Sequence, residues 1–208
     1  MIRVEAQDGC CKLWLARPEK ANALTGAMLE GLARAATEAA ASHARVLILS
    51  GVGKVFSAGA DLDEMKQGLG LSPAWEAASG AVAAFPGLSI AALNGTLAGG
   101  AMGLALACDL RITVPSATFF YPVMRLGYRP QPSDPGRLAA LIGPSRAKMI
   151  LLAGQRIDAE TALAWGLVDR IVPPEALLDT AMSLAEHALS ADPGHVAALK
   201  RMTRGDQP

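Results

Sequence analysis

The stretch from Leu88 to Val114 reads LSIAALNGTLAGGAMGLALACDLRITV, and it decides the fold class. Leu88 to Leu93 is a short, nearly continuous apolar run, which is typical of a strand buried on both faces. Gly99 to Ala107 has the composition of a helix built from small residues, and Leu110 to Val114 has a strand pattern again. A strand, a helix and a further strand in this order indicate an α/β architecture with parallel strand pairs.

The same alternation extends toward the N-terminus. Two alternating segments, Met1 to Glu5 and Cys11 to Leu15, flank an Asp-Gly turn signal and predict a hairpin. Apolar residues at helical spacing predict a helix from Thr25 to Ser42, with Thr25 as its N-cap. The remaining predicted elements of this half are a buried strand at Val46 to Ser50 and helices at Asp61 to Gln67 and Ala74 to Phe85.

The C-terminal third has a different pattern, in which helices dominate. The predicted helices cover residues 137–152, 158–164, 173–190 and 193–203, and Leu167 to Val172 is the one predicted strand. We therefore divide the chain into a core, residues 1–133, in which we expect the functional site, and a helical C-terminal layer, residues 134–208.

Composition narrows the class of function. The chain has 208 residues, of which 51% are hydrophobic, and its 19 basic and 19 acidic residues give a formal net charge of +0. Without an excess of cations, neither a nucleic acid nor an anionic membrane surface is an expected partner. No apolar run is long enough to span a membrane, and Met1 to Glu5 does not begin a signal peptide, so we expect a cytoplasmic protein. The three cysteines lack a metal-ligand spacing and are expected to be reduced.

Two glycine-containing segments follow predicted buried strands and precede predicted helices, which is where an open α/β sheet places ligands. They are Phe56 to Leu62 and Asn94 to Gly103. If backbone N–H groups from both segments point at one oxygen, they form an oxyanion hole. Glycine placement alone favours a structural role, a helix-start turn at Gly59 and close helix packing at Gly99 and Gly100, because neither segment matches a nucleotide-binding motif.

The chain resembles the crotonase (enoyl-CoA hydratase/isomerase) superfamily. The motifs that carry the resemblance occur in the family's order at 17–24, 56–62, 94–100, 107–111 and 153–168. The resemblance implies a crotonase-like ββα-superhelix core, a coenzyme A thioester as substrate, and an enolate held by two backbone N–H groups. Carried over by position, the donors are the amides of Ala58 and Gly100. No metal is implied, and no cofactor is expected beyond the coenzyme A of the substrate.

The resemblance also implies a set of substrate-binding positions. Lys20 is a candidate contact for the nucleotide phosphates, although a lysine in a solvated turn would look the same. The other positions are Ala60, Asp61, Leu62, Gly99, Gly103, Val123 and Gln131.

The sequence departs from the family at both hydratase glutamates. The corresponding positions are Gly103 and Val123, and neither side chain can transfer a proton. Two residues are candidate replacements. Tyr121 lies two positions before Val123 and would share its face on a strand, and Glu64 lies on the short helix after Ala58. The structural alternative for Tyr121 is a buried tyrosine of the core, and the alternative for Glu64 is a position on a solvated helix face.

Asp134 precedes Pro135, and this pair favours Asp134 as the N-cap of the next helix, with proline in its first turn. The sequence thus predicts an acyl-CoA enzyme with a non-standard acid/base set. One alternative is a decarboxylase, which the segment Val123 to Pro130 resembles; another is a non-catalytic acyl-CoA-binding protein. The family continues beyond the part that resembles 193–200, so the helical region is expected to be shorter than in relatives. We expect a homotrimer or a dimer of trimers.

Overall fold

The structure is a computed structural model that describes residues 1–203. The strands in this part of the chain are β1 (Ile2–Gln7), β2 (Cys10–Leu15), β3 (Val46–Gly51), β4 (Leu88–Leu93), β5 (Leu97–Ala98), β6 (Leu110–Thr113), β7 (Thr118–Phe120), β8 (Ile157–Asp158) and β9 (Arg170–Ile171). The helices are α1 (Gly26–Ala41), α2 (Leu62–Lys66), α3 (Ala74–Ala84), α4 (Met102–Ala107), α5 (Val123–Leu126), α6 (Asp134–Ile142), α7 (Pro144–Leu151), α8 (Ala159–Trp165), α9 (Leu177–Ser190) and α10 (Pro193–Thr203). The mixed α/β class predicted from the sequence is confirmed.

Six strands form the main sheet, in the order β1-β2-β3-β4-β6-β9. β1 and β2 are the antiparallel hairpin that the sequence predicts, and every other neighbouring pair in this sheet is parallel. All residues of β3 are buried, because helices or further chain cover both faces of the sheet. A smaller sheet, β5-β7-β8, lies beyond the carboxyl end of β4.

Local signals explain why several elements begin where they do. The hydroxyl of Thr25 accepts a hydrogen bond from the N–H of Met28 at 3.2 Å, so Thr25 is the N-cap of α1, as predicted. The Asp61 carboxylate caps α2 by accepting from the N–H groups of Asp63 and Glu64. Leu88–Leu93 is a strand over the predicted range.

Three predicted elements differ from the structure. The single helix expected over 137–152 is two helices, α6 and α7, because Gly143 has φ +81° and Pro144 follows it. The strand expected at Leu167 to Val172 is reduced to β9. The strand expected to continue through Val123 ends at Phe120, and Val123 begins α5. The period-two argument that placed Tyr121 and Val123 on one strand face is therefore wrong.

Candidate active site

A cavity of about 410 Å3 lies where the two glycine-containing segments meet. Its lining residues are Ala58, Gly59, Ala60, Leu62, Met65, Lys66, Gly70, Trp75, Gly99, Gly100, Tyr121, Pro122, Val123, Leu126, Tyr128, Arg129 and Gln131. The cavity thus combines residues that follow β3, β5 and β7 in the chain. Most of the lining is apolar or glycine, as is typical of a pocket for a small molecule.

Hydrogen bonds join the two glycine-containing segments directly. The N–H of Ser57 donates to the carbonyl of Thr96 at 3.1 Å, and the N–H of Ala98 donates to the carbonyl of Ser57 at 3.0 Å. Gly59 has φ +98°, and a Cβ built on it would lie 3.0 Å from the carbonyl oxygen of Ala98. Glycine is therefore required at position 59, both for the backbone conformation and for the close approach.

The amide predicted to be the first oxyanion donor, that of Ala58, is already used within the fold. Its N–H donates to the carbonyl of Ala21 at 2.9 Å, so Ala58 cannot hold a substrate oxygen and the prediction is wrong. The following residues, 59 and 61, bridge to Leu24: the Leu24 N–H donates to Gly59 O, and the Asp61 N–H donates to Leu24 O. Ala60 faces the other way, and its N–H has no hydrogen-bond partner within residues 1–203.

Gly100, the second predicted donor, lies in the first turn of a helical segment. Gly99–Ala101 is a 3-10 turn that leads into α4, and the N–H groups at the start of a helix have no acceptor within it. A Cβ built on Gly100 would lie 2.9 Å from the Trp75 ring, so glycine is required for this packing. Trp75 is buried and donates from Nε1 to the carbonyl of Leu69 at 2.9 Å. Trp75 was not among the predicted site residues, because no sequence motif marks it.

Arg17 holds the first glycine-containing segment, Phe56 to Leu62, in place. Its guanidinium contacts the Asp61 carboxylate at 2.7 Å and donates to the carbonyl of Ala23 at 3.1 Å. The hydrogen bond from Arg17 holds the pKa of Asp61 below its usual range, and the N–H groups at the start of α2 add to the effect. Asp61 was predicted to bind substrate, but it does not line the cavity. It anchors the chain next to Ala60.

Tyr121, at the cavity, and Asp134, behind it, form a buried pair. The phenol of Tyr121, which lines the cavity, donates to Asp134 Oδ2 at 2.9 Å. Asp134 is 1% exposed, and its second oxygen, Oδ1, has no hydrogen-bond partner within the described residues. Burial raises the pKa of Asp134 to about 6, and the Tyr121 hydroxyl and Arg137 partly offset this increase. Burial and the neighbouring carboxyl raise the pKa of Tyr121 as well.

This arrangement corrects the prediction for Asp134. The N-cap of α6 is Ser133, and Asp134 is the first residue of the helix, with its carboxyl group turned inward to Tyr121. Glu76 holds Ser133 in place by accepting hydrogen bonds from its N–H and its hydroxyl. Residues 13 positions apart form the Tyr121 to Asp134 contact, which is why a local reading of Asp-Pro did not find it.

Gly103 makes room for this carboxyl group. A Cβ built on Gly103 would overlap Asp134 Oδ1 and would lie 2.9 Å from Asp134 Cγ. Gly103 itself is buried in α4 and does not line the cavity, contrary to its predicted role in binding substrate. The glycine at this position is therefore required by packing against α6.

The other predicted positions divide into those at the cavity and those elsewhere. Leu62, Gly99, Val123 and Gln131 line it, and Gln131 Nε2 donates to the carbonyl of Gly70 at 3.2 Å. Lys20 is exposed on a 3-10 turn and does not line the cavity.

Glu64 was predicted to be a candidate catalytic residue, and the structure contradicts this. Its carboxylate accepts from the N–H of Gly26 at 2.7 Å, where the first turn of α1 needs an acceptor, and it does not line the cavity.

Within residues 1–203, no cluster of three or more His, Cys, Asp or Glu side chains is arranged to hold a metal ion. None of the helices in this part of the chain has both the length and the apolar character needed to cross a membrane.

Known proteins resemble this chain along nearly all of its length. The family model for enoyl-CoA hydratase/isomerase matches residues 5–206. Carnitinyl-CoA dehydratase of Salmonella arizonae is 39% identical over 169 residues, which make up 78% of this chain and 64% of that protein. The probable enoyl-CoA hydratase echA6 of Mycobacterium tuberculosis is 33% identical over 171 residues, 82% of this chain and 70% of that protein.

Solved structures agree with the sequence relatives. Enoyl-CoA hydratase from Bacillus anthracis is 34% identical, with a TM-score of 0.90 over 98% of this chain and 82% of that one. DspI of Pseudomonas aeruginosa is 30% identical, with a TM-score of 0.92 over 98% of this chain and 86% of that one. The chain spans about 64% of the length of the Salmonella relative. By sequence and by fold, the chain belongs to the enoyl-CoA hydratase/isomerase family, the crotonase superfamily.

Proposed function

We propose that the protein binds an acyl-CoA thioester and stabilises its enolate between the backbone N–H groups of Ala60 and Gly100. The observation that carries the proposal is the N–H of Ala60, which lies at the cavity without a hydrogen-bond partner in the described residues. It belongs to a segment that is hydrogen-bonded to the one containing Gly100. The family and the names of its relatives support a coenzyme A thioester as the substrate class.

Charge development gives these donors their chemical value. When a group leaves the α-carbon of a thioester as a cation, or carbon dioxide leaves it, the electron pair moves toward the carbonyl oxygen. Fixed N–H donors stabilise that oxygen more in the transition state than in the ground state, and one such donor contributes about 3 kcal/mol. The glycines at 59 and 99, where the two segments approach each other, keep the backbone free of side chains here.

The acid/base set of this site is non-standard. Gly103 and Val123 stand where the sequence resemblance implies the two hydratase glutamates, and neither can activate water. Decarboxylation suits such a site, because loss of carbon dioxide forms the enolate directly and only a proton is then required. The absence of both glutamates also fits a protein that binds acyl-CoA without turnover, so the experiment has to separate these two functions.

A panel of acyl-, enoyl- and malonyl-type CoA thioesters tests the proposal. Binding is measured by isothermal titration calorimetry, and products are identified by mass spectrometry. We expect binding of several thioesters and turnover of a malonyl-type substrate to the decarboxylated thioester. Binding of every class without any product would favour the non-catalytic alternative, and no binding of any thioester would overturn the proposal.

A further inference from the structure

The inner wall of the cavity contains one buried titratable side chain. Lys66, Tyr128 and Arg129 also line the cavity, but all three are exposed, and Lys66 pairs with Asp63 at 3.0 Å. Tyr121 is 4% exposed and its hydroxyl bonds to the Asp134 carboxyl. Among the residues that line the cavity in the described part of the chain, Tyr121 is therefore the one with a titratable side chain that is shielded from water.

We infer that Tyr121 and Asp134 form the proton-transfer pair of this site, with Tyr121 exchanging a proton with the α-carbon of the acyl group and Asp134 holding it behind. Tyr121 is the catalytic residue, because it faces the cavity, and Asp134 is a positioning and proton-storing residue. The inference rests on the proposed function, since it requires an acyl-CoA thioester in the cavity.

The packing around Asp134 supports a role beyond structure. A buried carboxyl oxygen without a hydrogen bond is costly, and fully buried polar atoms usually have partners. Asp134 Oδ1 has none in the described residues, and it lies against α4 at Gly103, one turn beyond Gly100. The chain thus maintains an unfavourable carboxyl group next to the proposed oxyanion hole, and Gly103 provides the space for it.

The proton balance of the step is complete within these groups. When the α C–H bond breaks, its proton passes to the Tyr121 oxygen while the Tyr121 proton moves along the 2.9 Å hydrogen bond to Asp134 Oδ2. The electron pair of the C–H bond becomes the enolate, whose oxygen Ala60 and Gly100 hold. In the reverse direction the α-carbon takes the Tyr121 proton, and Asp134 replaces it. No further reactant is needed.

Several charged or titratable groups face Asp134. They are Tyr121 after β7, Arg137 one turn further along α6, and Glu76 from α3. Burial dominates over these neighbours and raises the pKa of Asp134 to about 6. Both protonation states are therefore accessible near neutral pH, which suits a group that must accept and return a proton. Proton removal from carbon requires the carboxylate, so its rate is expected to rise with pH through about 6.

Deuterium exchange into butyryl-CoA tests the pair without any net reaction. The protein is incubated for hours with butyryl-CoA in D2O between pH 5 and 8, so that the Tyr121–Asp134 pair acquires deuterium from solvent, and mass spectrometry follows replacement of an α-hydrogen by that deuterium. We expect catalysed exchange that rises with pH and levels above about pH 7. Tyr121→Phe and Asp134→Asn should each slow it about 100-fold or more. Asp158→Asn, at the start of α8 and outside the cavity, is the matched control and should exchange normally.

Each result has a separate meaning when calorimetry with butyryl-CoA accompanies the exchange. If the wild type binds neither butyryl-CoA nor any other thioester of the panel, the proposed function fails and this inference fails with it. If the wild type binds but shows no exchange, or if folded variants keep the wild-type rate and pH profile, the proton-transfer pair is overturned while acyl-CoA binding stands. Both variants preserve shape closely, and the wild-type pH profile itself requires no variant. A profile without a step near pH 6 would also contradict the role of Asp134.

Discussion

Replacing Asp134 by asparagine should make the fold less sensitive to rising pH. The wild-type carboxyl group is buried, and its pKa is raised from 3.8 to about 6. Below about pH 3 it is mostly protonated in both the folded and the unfolded protein, so its burial carries no charge penalty. As pH rises from about 4 to about 6, the unfolded chain loses this proton first, and the free energy of unfolding of the wild type falls. An asparagine does not titrate, so in the variant this position contributes no pH dependence to the free energy of unfolding.

The magnitude follows from the size of the pKa change. Each pKa unit corresponds to about 1.4 kcal/mol, so the wild type loses roughly 3 kcal/mol of stability between about pH 2 and pH 8 through this group. About half of that loss occurs between pH 5 and pH 8. Asparagine keeps the shape of the side chain and an oxygen that can accept from Tyr121.

Urea unfolding, followed by circular dichroism at pH 5 and at pH 8, measures the effect. The stability of Asp134→Asn relative to wild type, taken as the difference between their free energies of unfolding, should be greater at pH 8 than at pH 5 by at least about 1 kcal/mol. Other carboxylates titrate equally in both proteins and cancel in this difference. If the difference between the two proteins does not change with pH, Asp134 has an ordinary pKa and cannot be the proton store near neutrality.

Three further predictions concern packing, chemistry and assembly. Gly103→Ala should lower the free energy of unfolding by about 1–3 kcal/mol in urea titrations, because the added Cβ overlaps the Asp134 carboxyl group; an unchanged value would contradict this packing. Hydration of crotonyl-CoA, followed by the loss of enoyl absorbance, should be negligible because Gly103 and Val123 cannot activate water; a kcat of roughly 10 s⁻¹ or more would show that another group does so. Light scattering should report a trimer or a dimer of trimers, because Met149 on α7, Leu152 directly after it and Leu163 on α8 are exposed; a 21.4 kDa particle at micromolar concentration would refute self-association.

Local patterns predicted the elements well where the determining residues are close in sequence. The apolar run Leu88 to Leu93 is β4 over its whole length, and Thr25 caps α1 through a neighbour three residues away. The helix predicted over 137–152 is too long, because Gly143 ends α6 and Pro144 begins α7.

The site was predicted less completely, because its geometry depends on distant contacts. Glycine placement located both glycine-containing segments of the cavity. It could not show that the carbonyl of Ala21 accepts from the N–H of Ala58 and that the N–H of Ala60 is left for a ligand. The pairing of Tyr121 with Asp134 depends on how α6 packs against α4, and no spacing rule encodes that contact.

The central claim, that Ala60 and Gly100 polarise a thioester carbonyl, can be tested by observing that carbonyl directly. Butyryl-CoA labelled with 13C at the carbonyl carbon is bound to the protein, and its chemical shift is compared with that of the free thioester. Two N–H donors withdraw electron density from the carbonyl carbon, so the account predicts a downfield shift on binding. A bound thioester whose carbonyl resonance stays at its free position would contradict the oxyanion hole.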